Sequence, residues 1–149
     1  MWKVEKMAKA IKYEVAEFDE IPNTVAESEV LYLLQTKSVD WSVINQLKQY
    51  ASRQDEVVSN WLNISVRTLR NYKTHATRIK ENLKEHIIML FALFKHGTDV
   101  FGTTDAFNAW LNKENFHFDG KSPSVFLNTI TGIRFVDRRL TAMEFGDNV

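Results

Sequence analysis

Helix-breaking residues are scarce in this chain, and their scarcity constrains the fold more than any other feature of the sequence. Only two prolines and five glycines occur among 149 residues. Long stretches can therefore be helical, because proline and glycine are the residues that most disfavour a helix interior. Between them, apolar residues recur at steps of three and four, which gives a helix one apolar face. The sequence predicts an all-α fold.

The first 39 residues predict a helical extension. Residues 4–18 carry apolar side chains at helical spacing, and Pro22 is expected to end that helix. Residues 24–37 predict a second helix, although their bunched leucines also suit a buried strand, which would lack a partner in a helical chain. We interpret residues 1–39 as an extension that either packs on the rest of the chain or forms a dimer contact.

Residues 40–96 show the spacing of a helix-turn-helix domain. Ser42 and Asp55 are the predicted N-terminal caps of two short helices, because both side chains can accept hydrogen bonds from first-turn N–H groups. Asn63 predicts a tight turn, since asparagine tolerates the left-handed conformation. Ser65 is the predicted cap of a third short helix. Three short helices at these separations are typical of a helix-turn-helix.

The helices that follow alternate with capping residues. Gly97 is the predicted C-terminal cap of a long helix, because glycine readily adopts the left-handed conformation found there. Thr104 is expected to cap the next helix, which buries Phe107 and Trp110 as core residues. The final helix is expected over residues 131–144. These elements predict a small helical lobe after the helix-turn-helix.

The third short helix, residues 66–73, has the composition of a DNA recognition helix. Residues 64–80 hold five basic side chains and no acidic one, and such a stretch attracts phosphate even though the net charge of the chain is zero. Arginine suits a guanine edge and asparagine an adenine edge. The solvated basic face of a helical hairpin is the alternative. The predicted DNA-contacting residues are Ser65, Arg67, Thr68, Arg70, Asn71 and Lys73.

Catalytic and cofactor motifs are absent from the sequence. There is no cysteine, which excludes disulfides and thiolate metal sites and suits a reducing cytoplasm. None of the four histidines stands four residues from another, as a helical metal-binding pair would require. No phosphate-binding glycine loop occurs, and no apolar run approaches the roughly 20 residues of a membrane span. We therefore expect a cytoplasmic protein with no enzymatic activity, metal or cofactor.

The C-terminal third carries an ordered series of motifs. The motif residues are Val100, Phe101, Gly102, Phe107, Trp110, Leu111, Gly120, Lys121, Ser122, Pro123, Leu127, Thr129, Gly132, Val136, Leu140, Glu144 and Gly146. With these motifs, the C-terminal third resembles the toxin-binding domain of Xre/MbcA/ParS-type antitoxins, the partners of RES-domain toxins. The upstream helix-turn-helix resembles the Xre-like half of the same antitoxins, so the likeness covers about residues 40–146.

The sequence departs from that family at two places. Phe107 stands where the family usually has alanine. The loop after Leu111 reads NKENFHFDG, where the family usually has Pro-Asn followed by a Gly-Gly pair. This loop is bulkier and more aromatic than the family pattern.

The resemblance implies that residues 97–149 bind a cognate RES-type toxin, which acts on NAD by degrading it or by transferring ADP-ribose. It also implies repression of the protein's own promoter through operator DNA, as a homodimer or a higher hetero-oligomer with the toxin. An NAD pocket must be cationic to bind a diphosphate, so we hypothesise that the acidic C-terminus blocks it. The predicted toxin-contacting residues are Gly120, Lys121, Arg138, Arg139, Glu144, Phe145, Asp147 and Val149.

Two other interpretations remain open from the sequence. The chain could be a stand-alone helix-turn-helix transcriptional regulator with no toxin partner, and the neighbouring gene would distinguish the two. It could also be a protein-interaction module whose helix-turn-helix has lost DNA binding, which the zero net charge allows.

Overall fold

The computed structural model describes residues 14–15, 21, 27–75 and 79–146. Most of these residues are helical, and the predicted all-α fold is confirmed. In chain order the elements are β1 (Glu14–Val15), α1 (Glu27–Thr36), β2 (Lys37–Ser38), α2 (Trp41–Ala51), α3 (Asp55–Trp61), α4 (Val66–His75), α5 (Glu81–Phe101), α6 (Thr104–Leu111), two 3₁₀ turns (Phe116–Phe118 and Pro123–Phe126) and α7 (Ile130–Glu144).

The N-terminal segment differs from its prediction. Glu14–Val15 is extended and pairs in parallel with Lys37–Ser38, Glu14 opposite Lys37, so the predicted first helix is wrong at these two positions. The predicted second helix is confirmed for Glu27–Thr36, but it stops before Lys37 because that residue joins the strand pair. The other residues of the predicted first helix, and Pro22, lie outside the described residues.

Three predicted N-terminal helix caps are displaced by one or two residues. Thr103 rather than Thr104 caps α6, because its hydroxyl accepts a hydrogen bond from the Ala106 N–H at 3.1 Å. Asp40 caps α2, because its carboxylate accepts a hydrogen bond from the Ser42 N–H at 2.9 Å and another from the Ser42 hydroxyl at 2.6 Å. The longer Asp40 side chain thus takes the place predicted for Ser42. Helix α3 follows Gln54, which makes no side-chain capping bond. Asp55 is the first residue of α3 rather than its cap.

The long helix α5 does not end at Gly97, as the sequence predicted, but continues to Phe101. Gly102 is the C-cap, with a φ of 85° and its N–H bonded to the Thr98 carbonyl oxygen at 2.7 Å. Gly97 serves packing instead. A Cβ atom at this position would lie 2.3–2.4 Å from ring atoms of Phe107. The missing side chain is therefore what lets α6 approach α5.

Helix α5 forms the centre of the core. Every residue from 87 to 94 is 0 % exposed, and α5 packs against α1, α2, α6 and α7. A helix that is apolar all round must be surrounded by other elements in this way. The expected core positions of Phe107 and Trp110 are confirmed at 0 % and 7 % exposure. No helix within the described ranges is long and apolar enough to cross a membrane.

Two lysines of α5 fasten the N-terminal segment to this core. The buried Lys84 donates from Nζ to the Leu34 carbonyl oxygen at 2.7 Å, near the end of α1. Lys95 donates to the carbonyl oxygen of Ile21, which is itself buried. Such charge-assisted bonds to backbone carbonyls are stronger than neutral ones. The described part of the N-terminal extension therefore packs on the chain itself.

The three short helices α2–α4 and the C-terminal lobe are joined through one aromatic cluster. Phe94 of α5 contacts Trp61 of α3 and Phe107 of α6, with ring centroids 5.9 and 5.2 Å apart. Tyr50 of α2 shares a hydrogen bond of 2.7 Å between its hydroxyl and that of Thr98. The two halves of the chain are thus held against the same helix.

We expect Gly97→Ala to lower the free energy of unfolding by about 1–3 kcal/mol, because the new methyl group would overlap the Phe107 ring. Phe107→Ala alone should cost about 3–5 kcal/mol through the cavity it leaves. The double variant should lose less free energy of unfolding than the two single variants lose together, because the added methyl group then occupies the space that the Phe107 ring has vacated. Chemical denaturation of all four proteins measures this coupling. Strict additivity would contradict the contact.

Candidate functional site

The turn between α3 and α4 has the predicted left-handed residue. Asn63 has a φ of 56°, and the next N–H, that of Ile64, bonds to the Ser59 carbonyl oxygen at 3.0 Å. The Asn63 side chain donates to the carbonyl oxygen of Asn128, which lies in the C-terminal lobe. The turn between α3 and α4 is therefore anchored to that lobe.

Helix α4 begins as the sequence predicted. The Ser65 hydroxyl accepts a hydrogen bond from the Thr68 N–H at 3.0 Å and contacts the Thr68 hydroxyl at 3.0 Å. Leu69 is 0 % exposed, and the half-buried Tyr72 packs against the core. The opposite face, with Arg67, Asn71 and Lys73, is open to solvent.

Arg70 differs from the other predicted DNA contacts because it is engaged within the chain. Its Nε donates to an Asp55 carboxylate oxygen at 3.2 Å, and an Nη lies 3.9 Å from a Glu56 oxygen. Lys48 of α2 forms an ion pair with the same Asp55. A hydrogen bond from Lys48 lowers the pKa of Asp55, with burial opposing and Arg70 adding to the effect. Asp55 thus joins α2, α3 and α4.

The predicted DNA-contacting residues consequently fall into three groups. Ser65 and Thr68 form the helix cap, and Arg70 neutralises the acidic start of α3. Arg67, Asn71 and Lys73 are exposed, and the two basic residues among them have no acidic partner in the described part of the chain. The structure therefore separates side chains that the uniform basic pattern of the sequence could not distinguish.

The loop between α6 and α7 is held from within. Phe118 is 1 % exposed, and its ring lies 5.7 Å from Trp110 and 5.2 Å from Phe135, measured between centroids. The Asn115 N–H donates to the Lys121 carbonyl oxygen, and the Gly120 N–H donates to the Asn115 carbonyl oxygen, both at 3.1 Å. Gly120 and Lys121 lie exposed on the closed loop.

The start of α7 explains a motif of the C-terminal third. The Thr129 hydroxyl accepts a hydrogen bond from the Gly132 N–H at 2.9 Å. A Cβ at Gly132 would lie 1.8 Å from the Phe126 carbonyl oxygen. The Thr-x-x-Gly spacing therefore combines a helix cap with a site where α7 meets the second 3₁₀ turn too closely for any other residue.

His86 ties the same region to α5. Its Nε2 lies 2.9 Å from the Leu127 carbonyl oxygen in a buried position. Burial lowers the pKa of His86, with the backbone hydrogen bond acting against it. The ring is therefore a neutral donor, and it satisfies a carbonyl group that would otherwise be buried without a partner.

His96 of α5 lies between two carboxylates of α7. Its Nδ1 is 2.6 Å from an Asp137 oxygen, and its Nε2 is hydrogen-bonded to Glu144. His96 and Asp137 are buried, whereas the Glu144 side chain is 42 % exposed. Burial acts to lower the pKa of His96, but the hydrogen bonds and charges of Asp137 and Glu144 outweigh it and raise the pKa.

The sequence missed this network, although it held a signal. Asp137 lies seven residues before Glu144 and next to Val136, on the stripe of α7 that also carries Ile133 and Leu140. A carboxylate on an apolar stripe requires a buried partner. The identity of that partner depends on how α5 and α7 are aligned, and the pattern of one helix does not contain this information.

The predicted toxin-contacting residues do not form one cluster. Gly120 and Lys121 belong to the loop that packs on Phe135, whereas Glu144 and Phe145 lie at the C-terminal end of α7. At a rise of about 1.5 Å per residue, Glu144 is about 14 Å along the helix axis from Phe135. Phe145 is 85 % exposed. Arg138 is exposed and Arg139 half-buried. Asp147 and Val149 lie outside the described residues.

A family model described as the antitoxin Xre/MbcA/ParS C-terminal toxin-binding domain matches residues 96–146. The resemblance inferred from the sequence motifs is thereby confirmed for this part of the chain. The match begins within α5 and includes α6, both 3₁₀ turns and α7. No curated protein matches the chain.

We expect Gly132→Ala to lower the free energy of unfolding by about 3 kcal/mol, because the new Cβ would collide with backbone rather than with a side chain that can rotate away. Thr131→Ala is the matched control, since Thr131 is exposed one position earlier on the same turn. Thermal unfolding of both variants tests the contact. A Gly132→Ala protein as stable as the control would show that α7 and the 3₁₀ turn are not in close contact.

Proposed function

Since the chain carries the C-terminal toxin-binding domain of Xre/MbcA/ParS antitoxins at residues 96–146, we propose that it is the antitoxin of a type II toxin–antitoxin pair. It binds and inhibits a RES-type toxin that consumes NAD or transfers ADP-ribose, and it represses its own operon by binding operator DNA. The family match is the single observation that carries the antitoxin role. The proposed site of action is the cytoplasm, as a homodimer or a hetero-oligomer with the toxin.

The C-terminus is the proposed inhibitory segment. A pocket that binds the NAD diphosphate requires cationic or N–H groups, and the chain offers it the acidic residues Glu144 and Asp147. Phe145 stands between them with 85 % of its surface exposed. An exposed aromatic residue beside acidic groups suits the entrance of such a pocket, because an apolar anchor contributes most of the affinity.

We expect Phe145→Ala to weaken inhibition of the toxin by about tenfold or more, as loss of a central aromatic anchor does at protein interfaces. Phe116→Ala is the matched control, since Phe116 is 90 % exposed and outside the C-terminus. The measurement is NAD consumption by the purified RES-type product of the adjoining gene, titrated with each full-length variant. Inhibition by Phe145→Ala equal to that by wild type would contradict the proposed segment.

A co-expression experiment tests the antitoxin role as a whole, separately from the C-terminal segment. If wild-type protein fails to restore growth to cells that express the neighbouring product, the antitoxin proposal itself fails. The stand-alone transcriptional regulator is then the better description, and operator binding is the property that remains to be measured.

The exposed face of α4 is the proposed DNA-reading surface. Arg67, Asn71 and Lys73 are exposed on it and have the side-chain chemistry for base edges and phosphates. Arg70 contributes mainly by joining α4 to the first turn of α3, because its guanidinium lies against Asp55 and Glu56. Two copies reading two half-sites would supply the affinity that one small unit lacks.

We expect Arg67→Ala to weaken operator binding by about tenfold or more, since a bidentate arginine–base contact contributes about 1–3 kcal/mol. Arg70→Ala should weaken it less, while lowering the free energy of unfolding by less than about 1 kcal/mol, as an exposed ion pair does. Lys113→Ala removes an exposed charge from the C-terminal lobe and should change neither. Gel shifts at one fixed salt concentration compare the three.

Toxin inhibition should be unchanged in all three variants, because the two surfaces lie on different elements. A loss of operator binding by Arg70→Ala as large as that by Arg67→Ala, at unchanged stability, would mean that Arg70 leaves Asp55 and reads DNA. Loss of DNA binding and toxin inhibition together would indicate unfolding.

A further inference from the structure

His96 makes a bond pattern that, with both neighbouring carboxylates ionised, only one protonation state of the ring can satisfy. A neutral imidazole has one N–H donor and one acceptor nitrogen. Both ring nitrogens of His96 face carboxylate oxygens, one from Asp137 and one from Glu144. Carboxylates accept hydrogen bonds and do not donate them when ionised. With Asp137 and Glu144 both ionised, these contacts require a doubly protonated, positively charged ring between two negative groups.

The arrangement does not suit a metal or a catalytic role. The two nitrogens of one imidazole ring point in different directions, so Asp137 and Glu144 cannot join His96 around a single ion. No group of three metal-ligating side chains occurs within the described ranges. His96 is also 6 % exposed, which leaves little access for a substrate. The network instead joins the C-terminal third of α5 to two points on α7.

The second of these points is the last turn of α7. Glu144 is the final residue of the helix, and the C-cap Phe145 follows directly. The last turn of a helix has few partners of its own, because its carbonyl groups have no N–H ahead of them. The bond from His96 is thus a side-chain tie from the buried core to the residue that precedes Phe145.

We infer that His96 is a positioning residue: as an imidazolium it holds Glu144 and thereby fixes the end of α7, so that Phe145 is presented to the partner in one orientation. This inference rests on the proposed role of the C-terminus in toxin binding. Ordering the segment before binding spares the complex the entropy cost of ordering it on contact. His96 acts on the partner only through Glu144 and Phe145.

The tie has a defined dependence on pH. Asp137 and Glu144 on α7 are the charged groups that raise the pKa of His96 above the ordinary 6.5. Helix α6 contributes no charge here, because it packs the apolar ring of Phe107 against Gly97, the residue that follows His96. A group with a raised pKa contributes its full stabilisation below the unfolded pKa and loses it as the pH rises through the folded pKa. The end of α7 should loosen above that pH.

The first test uses the isolated full-length protein. Amide hydrogen exchange of residues 141–146 should be slow in wild type near pH 6. At higher pH, where the hydrogen bond from His96 is lost, these amides should exchange about tenfold faster after correction for intrinsic rates. A tenfold change is about the size expected for the loss of one charge-assisted hydrogen bond. In His96→Asn these amides should exchange fast at every pH. Glu144→Ala provides a second variant at a partly exposed position, in case His96→Asn does not fold, and it leaves no side-chain group at position 144 to bond to His96. His117→Asn, an exposed histidine of the same lobe, is the control.

The second test adds the purified RES-type product of the adjoining gene. Near pH 6 the wild-type protein should bind the toxin about tenfold more tightly than His96→Asn does. As the pH rises through the His96 titration, the wild-type affinity should fall to that of His96→Asn, which should bind weakly at every pH. A variant with fast exchange but wild-type affinity would overturn the positioning role and leave the antitoxin proposal intact. Equal exchange in wild type and both variants would overturn the tie itself. Failure of wild type to bind the toxin would instead refute the proposed function.

Discussion

Complete burial of the middle of α5, residues 87–94, is the constraint on which the rest of the structure depends. Because residues 87–94 have no exposed surface, elements from both ends of the chain must cover them, and α1, α2, α6 and α7 do so. Removal of this apolar surface from water supplies the main driving force. The proposed DNA-binding and partner-binding surfaces are therefore parts of one packed unit. Helix α7 packs on α5 directly, whereas α4 packs on α3, whose Trp61 contacts Phe94 of α5.

Polar side chains on the faces of this core determine how the covering helices are aligned. Lys84 and Lys95 bind backbone carbonyl groups of the N-terminal segment. His86, neutral, binds the Leu127 carbonyl oxygen, and His96, charged, binds two carboxylates of α7. Apolar contacts tolerate sliding, whereas a buried hydrogen-bonding group is costly to leave unpaired. These four side chains of α5 consequently specify the register of its neighbours.

The two proposed surfaces show how the same residue type takes different roles. Arg67 and Arg70 are three residues apart on α4, yet Arg70 is held by the acidic first turn of α3 and Arg67 is exposed. Similarly, Phe118 and Phe145 are both aromatic residues of the C-terminal lobe, but Phe118 is buried between Trp110 and Phe135 while Phe145 is 85 % exposed. Local composition predicted the chemistry of both regions, and packing assigned the individual roles.

The sequence by itself determined what depends on near neighbours: the helical fold, the left-handed turn at Asn63, the Ser65 cap and the burial of Leu69, because propensity, capping and periodicity act within a few residues. Its motifs also determined the identity of the C-terminal lobe. Only the tertiary structure decided that Gly97 admits the Phe107 ring instead of ending α5, that Arg70 pairs with Asp55, and that His96 ties down Glu144. Each of these joins residues from different helices, and their meeting depends on how the helices pack around α5, which no single helical pattern encodes.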